Sequence, residues 1–502
     1  MRQWAAGVVV VLAIGALGAG RVRGAELMAG GRPLALTGWL ELREIIRADR
    51  SSPNELALEQ VWLRGRYSLS EHLAVEAAVN TQHGGPATEQ TKGGIYSYRS
   101  VFQSVSPSVQ FEDAFVDLSF ADLDLRLGMQ KFAWGKLDRT QPTDVLNVER
   151  YSDPFLLEEE ERKIAVPALQ AAYALPNGAW IPEESRLTLV WIPQYFPYRF
   201  PLLGERWFPP AGVPPPTFTI PAVMPPISVP LGFRLRNTSP PSFSMANAGY
   251  AARLTGFTHG LDYALCYYHG FDRSPAFLLT AEASGDPSPT GPPPRNVTAL
   301  TELSPVFHTI DLAGGDAAYA WGDFTFRLEA AFVAGRPFSR SIRSLVSNPP
   351  PKFLDEIARV LGEIQQGKSP VPVALPEQSF AVRDAVLWGL GVDYTWRGYL
   401  LLLQVNQTDI LHNDVNLLIK NVDTVLIGNL RKDFWHDSLT AQLIAIQALE
   451  SSYTLLMPRV TYHFWDHFEA RAGYLFIAGR ENSIVGQYKD NGEVFFWLRY
   501  LI

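Results

Sequence analysis

The sequence predicts an all-β chain: a transmembrane antiparallel β-barrel of about 18 strands (16–18), with short periplasmic turns and long external or inward-folded loops. Three observations carry this. The chain ends on a strand with one wholly apolar face. Its strand-forming segments are joined by connections that alternate short and long. Aromatic residues gather at the short ones.

The N-terminus comes first. Met1-Arg2 is followed by an apolar run from Trp4 to Ala19, then by small residues with Arg21 and Arg23. This is the pattern of a secretory signal peptide, so residues 1–25 are set aside and 26–502 read as a single outer-membrane β-barrel. Gly20 and Ala25 both suit cleavage. No Cys follows the run, so a lipoprotein is excluded. Beyond it, no stretch of ~18 or more residues stays apolar enough for a membrane helix. Ala385 to Val405 comes closest, with Asp393 inside it and Arg397 likewise. Cys266 is the only cysteine, which excludes an intrachain disulfide, a Cys-rich metal site and covalent haem. A formal charge of −8 leaves no basic footprint for nucleic acid. The nine histidines are scattered and point to no metal site. No cofactor and no catalytic constellation is expected.

Strand by strand, one face is apolar and the other polar. Leu34, Leu36, Leu40 and Leu42 oppose Thr37, Trp39, Glu41 and Arg43. Val61, Leu63, Tyr67 and Leu69 oppose Trp62, Arg64, Arg66 and Ser68. Leu123, Leu125, Leu127 and Met129 oppose Asp124, Arg126 and Gln130. From Phe324 to Phe332 the even positions are apolar, while Arg327 and Glu329 point away. Phe468, Ala470, Tyr474 and Phe476 oppose Glu469 and Arg471. In the last strand Val494, Phe496, Leu498, Tyr500 and Ile502 form one face. A one-residue slip would put the charges in hydrocarbon, at roughly 2–4 kcal/mol each near the midplane, so register is firmly set.

Short connections fall near Ser70-Glu71, Ala121-Asp122, Pro176 to Glu184, Thr258-His259, Gly322-Asp323, Arg397-Gly398, His436-Asp437 and Asp466. Phe120, Trp321, Phe324, Trp396, Tyr399, Phe434, Trp435, Phe464, Trp465 and Phe468 cluster beside them, as in the aromatic girdle of a membrane interface. The longest connections are 135–165, 196–243, 272–304 and 336–381. Residues 196–243 are proline-dense and read as low in regular structure. In Lys352–Gln366 the apolar residues Phe353, Ile357, Val360, Leu361 and Ile364 recur at helical spacing, which predicts a short amphipathic helix resting on the barrel mouth.

The inward faces supply the candidate pore-lining residues: Glu41, Arg43, Arg64, Arg66, Glu76, Arg126, Arg253, Arg327, Glu329, Arg459, Glu469, Arg471 and Arg499. Opposing acids and arginines select solutes through a transverse field, or brace the wall by pairing across it. Bracing is expected of most of them, with a minority lining the path.

The densest run of special residues holds Trp134-Gly135, Pro142, Asp144 and Asn147, then Asp153-Pro154, then the acids Glu158 to Glu161 before Arg162 and Lys163. Turn formers and apolar anchors (Leu146, Phe155, Leu156) together suit a loop that folds into the lumen as a constriction. From Gly128 to Ala168 the chain resembles the DUF1302-type porin-like outer-membrane β-barrel family of Gram-negative bacteria. Arg199-Phe200-Pro201 and the run through Arg206-Trp207 to Pro209 are similar to its second signature. The resemblance covers about 128–210 and implies an outer-membrane barrel without naming a solute.

The functional expectation is therefore a porin-like channel or facilitator for passive passage of a small solute. The alternative is a barrel scaffold that sheathes partner proteins, such as a periplasmic or multihaem cytochrome in a porin–cytochrome conduit. The expected partners are outer-membrane lipid and the barrel assembly machinery, to which the last strand resembles an insertion signal.

Overall fold

The structure, a computed structural model, describes residues 25–48, 55–84, 108–343 and 352–502, except 30, 152–153, 177, 179–181, 183, 202, 204–205, 221–226, 237 and 413. The predicted leader up to residue 24 and the candidate Asp153 lie outside the described residues.

Alternating apolar and polar residues drive a strand to bury one face and expose the other. Here eighteen such strands do so around a closed ring. They are β1 (Arg32–Arg47), β2 (Glu55–Ser68), β3 (Leu73–Gly84), β4 (Ser108–Ser119), β5 (Leu123–Gln130) and β6 (Val166–Ala174), followed by β7 (Arg186–Ile192), β8 (Gly249–Thr258), β9 (Leu261–Phe271), β10 (Thr309–Trp321), β11 (Phe324–Ser339) and β12 (Phe380–Trp396). The ring is completed by β13 (Tyr399–Ile410), β14 (Val422–Phe434), β15 (Leu439–Ala448), β16 (Tyr453–Phe464), β17 (Phe468–Gly479) and β18 (Glu493–Leu501). Each pairs antiparallel with its sequence neighbours, and β18 closes on β1 from Leu501 opposite Trp39 to Glu493 opposite Arg47. Closure leaves these strands no free edge. A further strand, Ala25–Ala29, folds back on the start of β1 and prolongs the line of β18 past its end.

One end of the ring carries the connections that the spacing predicts as short, of two to four residues each except for the eleven between β6 and β7. In two of these hairpins both turn residues are left-handed, His259-Gly260 and Arg397-Gly398. That is the geometry that matches the twist of the flanking strands. The other end carries the long connections, apart from the seven residues between β1 and β2 and the four-residue turn between β15 and β16.

The outward face is apolar and open to its surroundings at Leu127, Leu265, Leu328, Leu390, Leu403, Val494 and Phe496. At the short-turn end Trp321, Trp396, Trp435 and Trp465 stand exposed, with Phe120 and Tyr399 beside them. A belt of this kind is stable facing hydrocarbon and unstable facing water. Tyr500 also points outward but is covered by the rings of Phe468 and His467. No helix among the described residues is long and apolar enough to cross a membrane.

The long connections also form regular structure of their own. Parts of 196–243, 272–304 and 336–381 build a separate five-stranded sheet at the mouth. It comprises Thr217–Ile220, Ile227–Leu235, Ala276–Asp286, Arg295–Val306 and Val371–Val373. The proline-dense segment is thus not low in regular structure. Its prolines hide an alternation of Val229, Leu231, Phe233 and Leu235. Pro230 pairs with Thr217 just before parallel pairing with 295–306 begins at Leu231, so its missing N–H interrupts no ladder there. The predicted helix forms as α1 (Lys352–Gln365). It packs Ile357, Val360, Leu361 and Ile364 on this sheet rather than on the barrel rim, because the sheet offers an apolar face that the polar mouth does not.

Candidate functional site

The connection from β5 to β6 turns inward and is fixed to the wall at both sides of the lumen. Its first arm is held by β11. Glu329, fully buried, accepts hydrogen bonds from the backbone N–H of Lys136 (3.1 Å) and Leu137 (3.3 Å) and from the N–H (2.7 Å) and hydroxyl (2.8 Å) of Thr143. Arg327 donates to the Lys136 carbonyl at 2.9 Å and pairs with Asp393 on β12. On β13, Gln404 bonds both the N–H (2.9 Å) and the carbonyl (3.0 Å) of Asp138, and Asn406 donates to the Thr140 carbonyl (3.1 Å). Lys136 reaches Asp262 on β9 at 2.5 Å.

This docking depends on Gly135. Its backbone is left-handed, and a Cβ built there would lie 2.7 Å from a Glu329 carboxylate oxygen. Glycine is what lets the loop come this close. Next to it Trp134 is buried under the Arg253 guanidinium, 5.4 Å from its ring centre, while Arg253 pairs with Asp316 at 2.7 Å. Pro142 is buried in the turn that presents Thr143. Asn147 closes the arm on itself, accepting from the Phe132 N–H (2.8 Å) and donating to its carbonyl (2.5 Å). Asp144 receives the Lys163 ammonium at 2.7 Å. Phe132, Trp134, Leu146, Val148 and Ile164 then fill the lumen against the inner face of β6 to β11.

The second arm crosses to the opposite wall. The acidic run forms a single helical turn, Glu159–Arg162, preceded by Glu158. Glu158 accepts from Arg459 on β16 (2.6 Å) and Arg471 on β17 (3.0 Å), and Arg471 also pairs with Glu469. Burial pushes the Glu158 carboxyl up, but the two guanidinium groups overcome this and hold it below its ordinary value of 4.5. Glu161 takes Arg499 of β18 at 2.7 Å and lies 3.8 Å from Arg43. Those two arginines also share Glu41, at 2.5 and 2.7 Å. Pro154 precedes Phe155 and Leu156, which pack with Trp207, Trp497 and Tyr488. Trp207 comes from the proline-dense connection. Arg206 beside it bonds Glu493 at 3.1 Å, so that segment is latched to the start of β18.

What the loops leave open is a polar cavity of about 600 Å³ against the inner face of β1 to β5. That size suits a small solute. Arg64, Glu76 and Arg126 line it from the wall, and Glu158, Glu160 and Glu161 from the loop. Arg64 (41% of its side-chain surface open), Arg66 (45%) and Arg126 (35%) form a row whose charges are shared with Glu76, Asp113 and Asp117 at 2.7–3.4 Å. The lumen is thus not evenly lined by the predicted set. Glu41, Arg43, Arg253 and Glu329 are buried under the loop, at 8% exposure or less, and do not line the open space. A wall charge beneath a docked loop becomes the loop's partner, and alternation alone cannot tell the two situations apart. Gln404 and Asn406 hold the loop without being among the expected residues. Their signal was present, two amides alternating with Leu403 and Val405, but the run looked apolar overall. His463 and His467 stand four residues apart, yet they flank a hairpin turn. Among the described residues no group of three or more His, Cys, Asp or Glu is placed to hold a metal ion.

No protein-family model matches the sequence, and no curated protein does. Among solved structures, the chain is similar to OccAB4 of Acinetobacter baumannii (TM-score 0.47, 9% identity, covering 93% of this chain and 98% of that one). It is similar to the same extent to OpdK of Pseudomonas aeruginosa, solved with vanillate (0.49, 8%, 93% and 98%), and to OccK8 (OprE) of the same organism (0.46, 10%, 93% and 98%). Likenesses this distant carry no inference about a solute.

Proposed function

We propose that the chain is a porin-like channel of the bacterial outer membrane that passes a small polar solute passively, and that it belongs to the DUF1302-type family its 128–210 segment resembles. The observation that carries this is the polar cavity of about 600 Å³ kept open between the β1–β5 wall and a loop fixed across the lumen. A barrel of this strand number is wide enough for an aqueous path, and the loop narrows it to solute size. The acid-bearing loop faces the arginine row, which orients a dipolar solute as it passes. The apolar outward belt with its aromatic rim supports an outer-membrane location, with the short turns periplasmic. The final strand then serves the assembly machinery. A sheath for a cytochrome is less well supported, because the chain's own loops already occupy much of the lumen.

The experiment is planar-bilayer conductance of the purified, heat-modifiable barrel. Discrete openings are expected, larger when residues 140–160 are deleted. A folded barrel that conducts nothing in either form removes the channel reading and returns attention to a co-purifying partner.

A further inference from the structure

We propose that Glu160 sets the charge selectivity of the lumenal cavity, and that the passage favours cationic, amine-bearing solutes over anions. This rests on the channel reading above.

Among the described residues, every charge that lines the cavity is paired except one. On the wall, Arg64, Arg66, Arg126 and Lys131 are matched by Glu76, Glu112, Asp113 and Asp117. On the loop, Glu158 is held by Arg459 and Arg471, and Glu161 by Arg43 and Arg499. Those four arginines are balanced in turn by Glu41 and Glu469 together with the two loop acids. Each of these groups sees its opposite within about 4 Å, so at a distance each pair acts as a dipole. Glu160 differs. It lines the cavity with an exposed side chain, and among the described residues its carboxylate has no ion-pair partner. Only its backbone carbonyl is engaged, by the Lys131 ammonium at 2.9 Å, whose charge goes to Glu112. Arg139, a cation of the same loop with no ion pair among the described residues, does not line the cavity.

One uncompensated carboxylate in a narrow space with low-dielectric walls focuses its field along the path and concentrates counter-ions there. The aromatic lining is already engaged by the wall. Trp39, Trp62 and Phe115 each already carry a guanidinium over the ring, at 4.4, 5.0 and 3.9 Å. These faces are therefore already taken by arginines of the wall and leave Glu160 to set the charge the solute meets.

The test is the reversal potential of the full barrel in a KCl gradient, with Glu160→Gln, Glu160→Lys and, as a control, Glu71→Gln at an exposed short turn. Heat modifiability checks folding of each variant. Wild type and Glu71→Gln are expected to be cation-selective. Glu160→Gln should move the potential toward zero and Glu160→Lys should carry it to the opposite sign. In liposome swelling, lysine should enter faster than glutamate, and Glu160→Lys should invert that order. A conducting wild type that prefers anions, or a Glu160→Lys barrel with unchanged potential, overturns this inference and leaves the channel intact. A folded barrel that does not conduct overturns both.

Discussion

Glu329→Ala is the perturbation that most directly tests how the lumen is narrowed. The carboxylate is fully buried and accepts four hydrogen bonds from the loop, three of them from backbone N–H groups. Removing it leaves those three N–H groups without an acceptor. A buried unsatisfied group costs about 1–3 kcal/mol, so the docked arm loses on the order of 3–9 kcal/mol. Even ~3 kcal/mol shifts the ratio of docked to undocked arm by more than a hundredfold. The barrel itself should persist, because its ladders do not involve this side chain. Conductance should rise and become noisier, and the segment 131–165 should become sensitive to protease. Glu329→Gln, which keeps one acceptor and loses the charge, should fall between. A folded Glu329→Ala barrel with wild-type conductance and a protease-resistant loop would refute the reasoning, and Gln404 and Asn406 would then be the dominant anchors.

Three further outcomes are expected. Gly135→Ala should loosen the same arm, because its Cβ would meet the Glu329 carboxylate at 2.7 Å in a left-handed backbone; conductance of Gly135→Ala indistinguishable from wild type would argue against that contact. Tyr500→Asp with Ile502→Asp puts two carboxylates on the outward face of the closing strand, at up to a few kcal/mol each depending on depth, so heat-modifiable protein should disappear from the outer-membrane fraction, and normal levels there contradict the assignment. The third outcome concerns acid pH. Because Arg459 and Arg471 hold Glu158 below 4.5 in the docked loop, its contribution is present above that value and lost as pH falls through the docked pKa. Channel noise should therefore increase below about pH 4.5, and Glu158→Gln, noisy at neutral pH already, should show no such onset.

Much of the barrel was legible because its signal is local and repeated. Val494 and Phe496 are outward while Phe495 and Trp497 are buried, as period-two alternation requires. Short turns announce themselves through residues such as Gly260 and Gly398 whose conformations few others adopt. The sheet at the mouth was not legible. Its strands come from three connections separated in sequence, and the parallel pairing of Ile227–Leu235 with Arg295–Val306 leaves no turn signal between them. Pairing of that kind is a tertiary fact, and prolines at 225–226 and 230 disguise the only local hint.

The candidate site divides along the same line. Alternation finds the residues that face inward, so Arg64, Glu76 and Arg126 were found together with Glu41 and Glu329. What alternation lacks is the third dimension of the lumen, and there the loop decides the role. Glu329 lies in the middle of a strand whose apolar positions face out, and nothing in that strand says that Gly135 and Thr143, far away in sequence, will cover it. The clue sits in the loop instead. A Trp-Gly pair and a Pro-Thr-Asp turn beside buried apolar residues describe a segment built to contact a surface, and a segment inside a barrel has only the inner wall to contact. The acids at 158–161 follow the same logic. Four consecutive carboxylates read as a solvated run on a surface, but a helical turn splits their directions. Glu158 and Glu161, three apart, reach arginines of the wall, while Glu160 is left facing the open cavity. Whether a charge braces or selects is therefore settled by which neighbours the loop has already consumed, and a loop charge left unpaired on the open side of the cavity is the one placed to act on a solute.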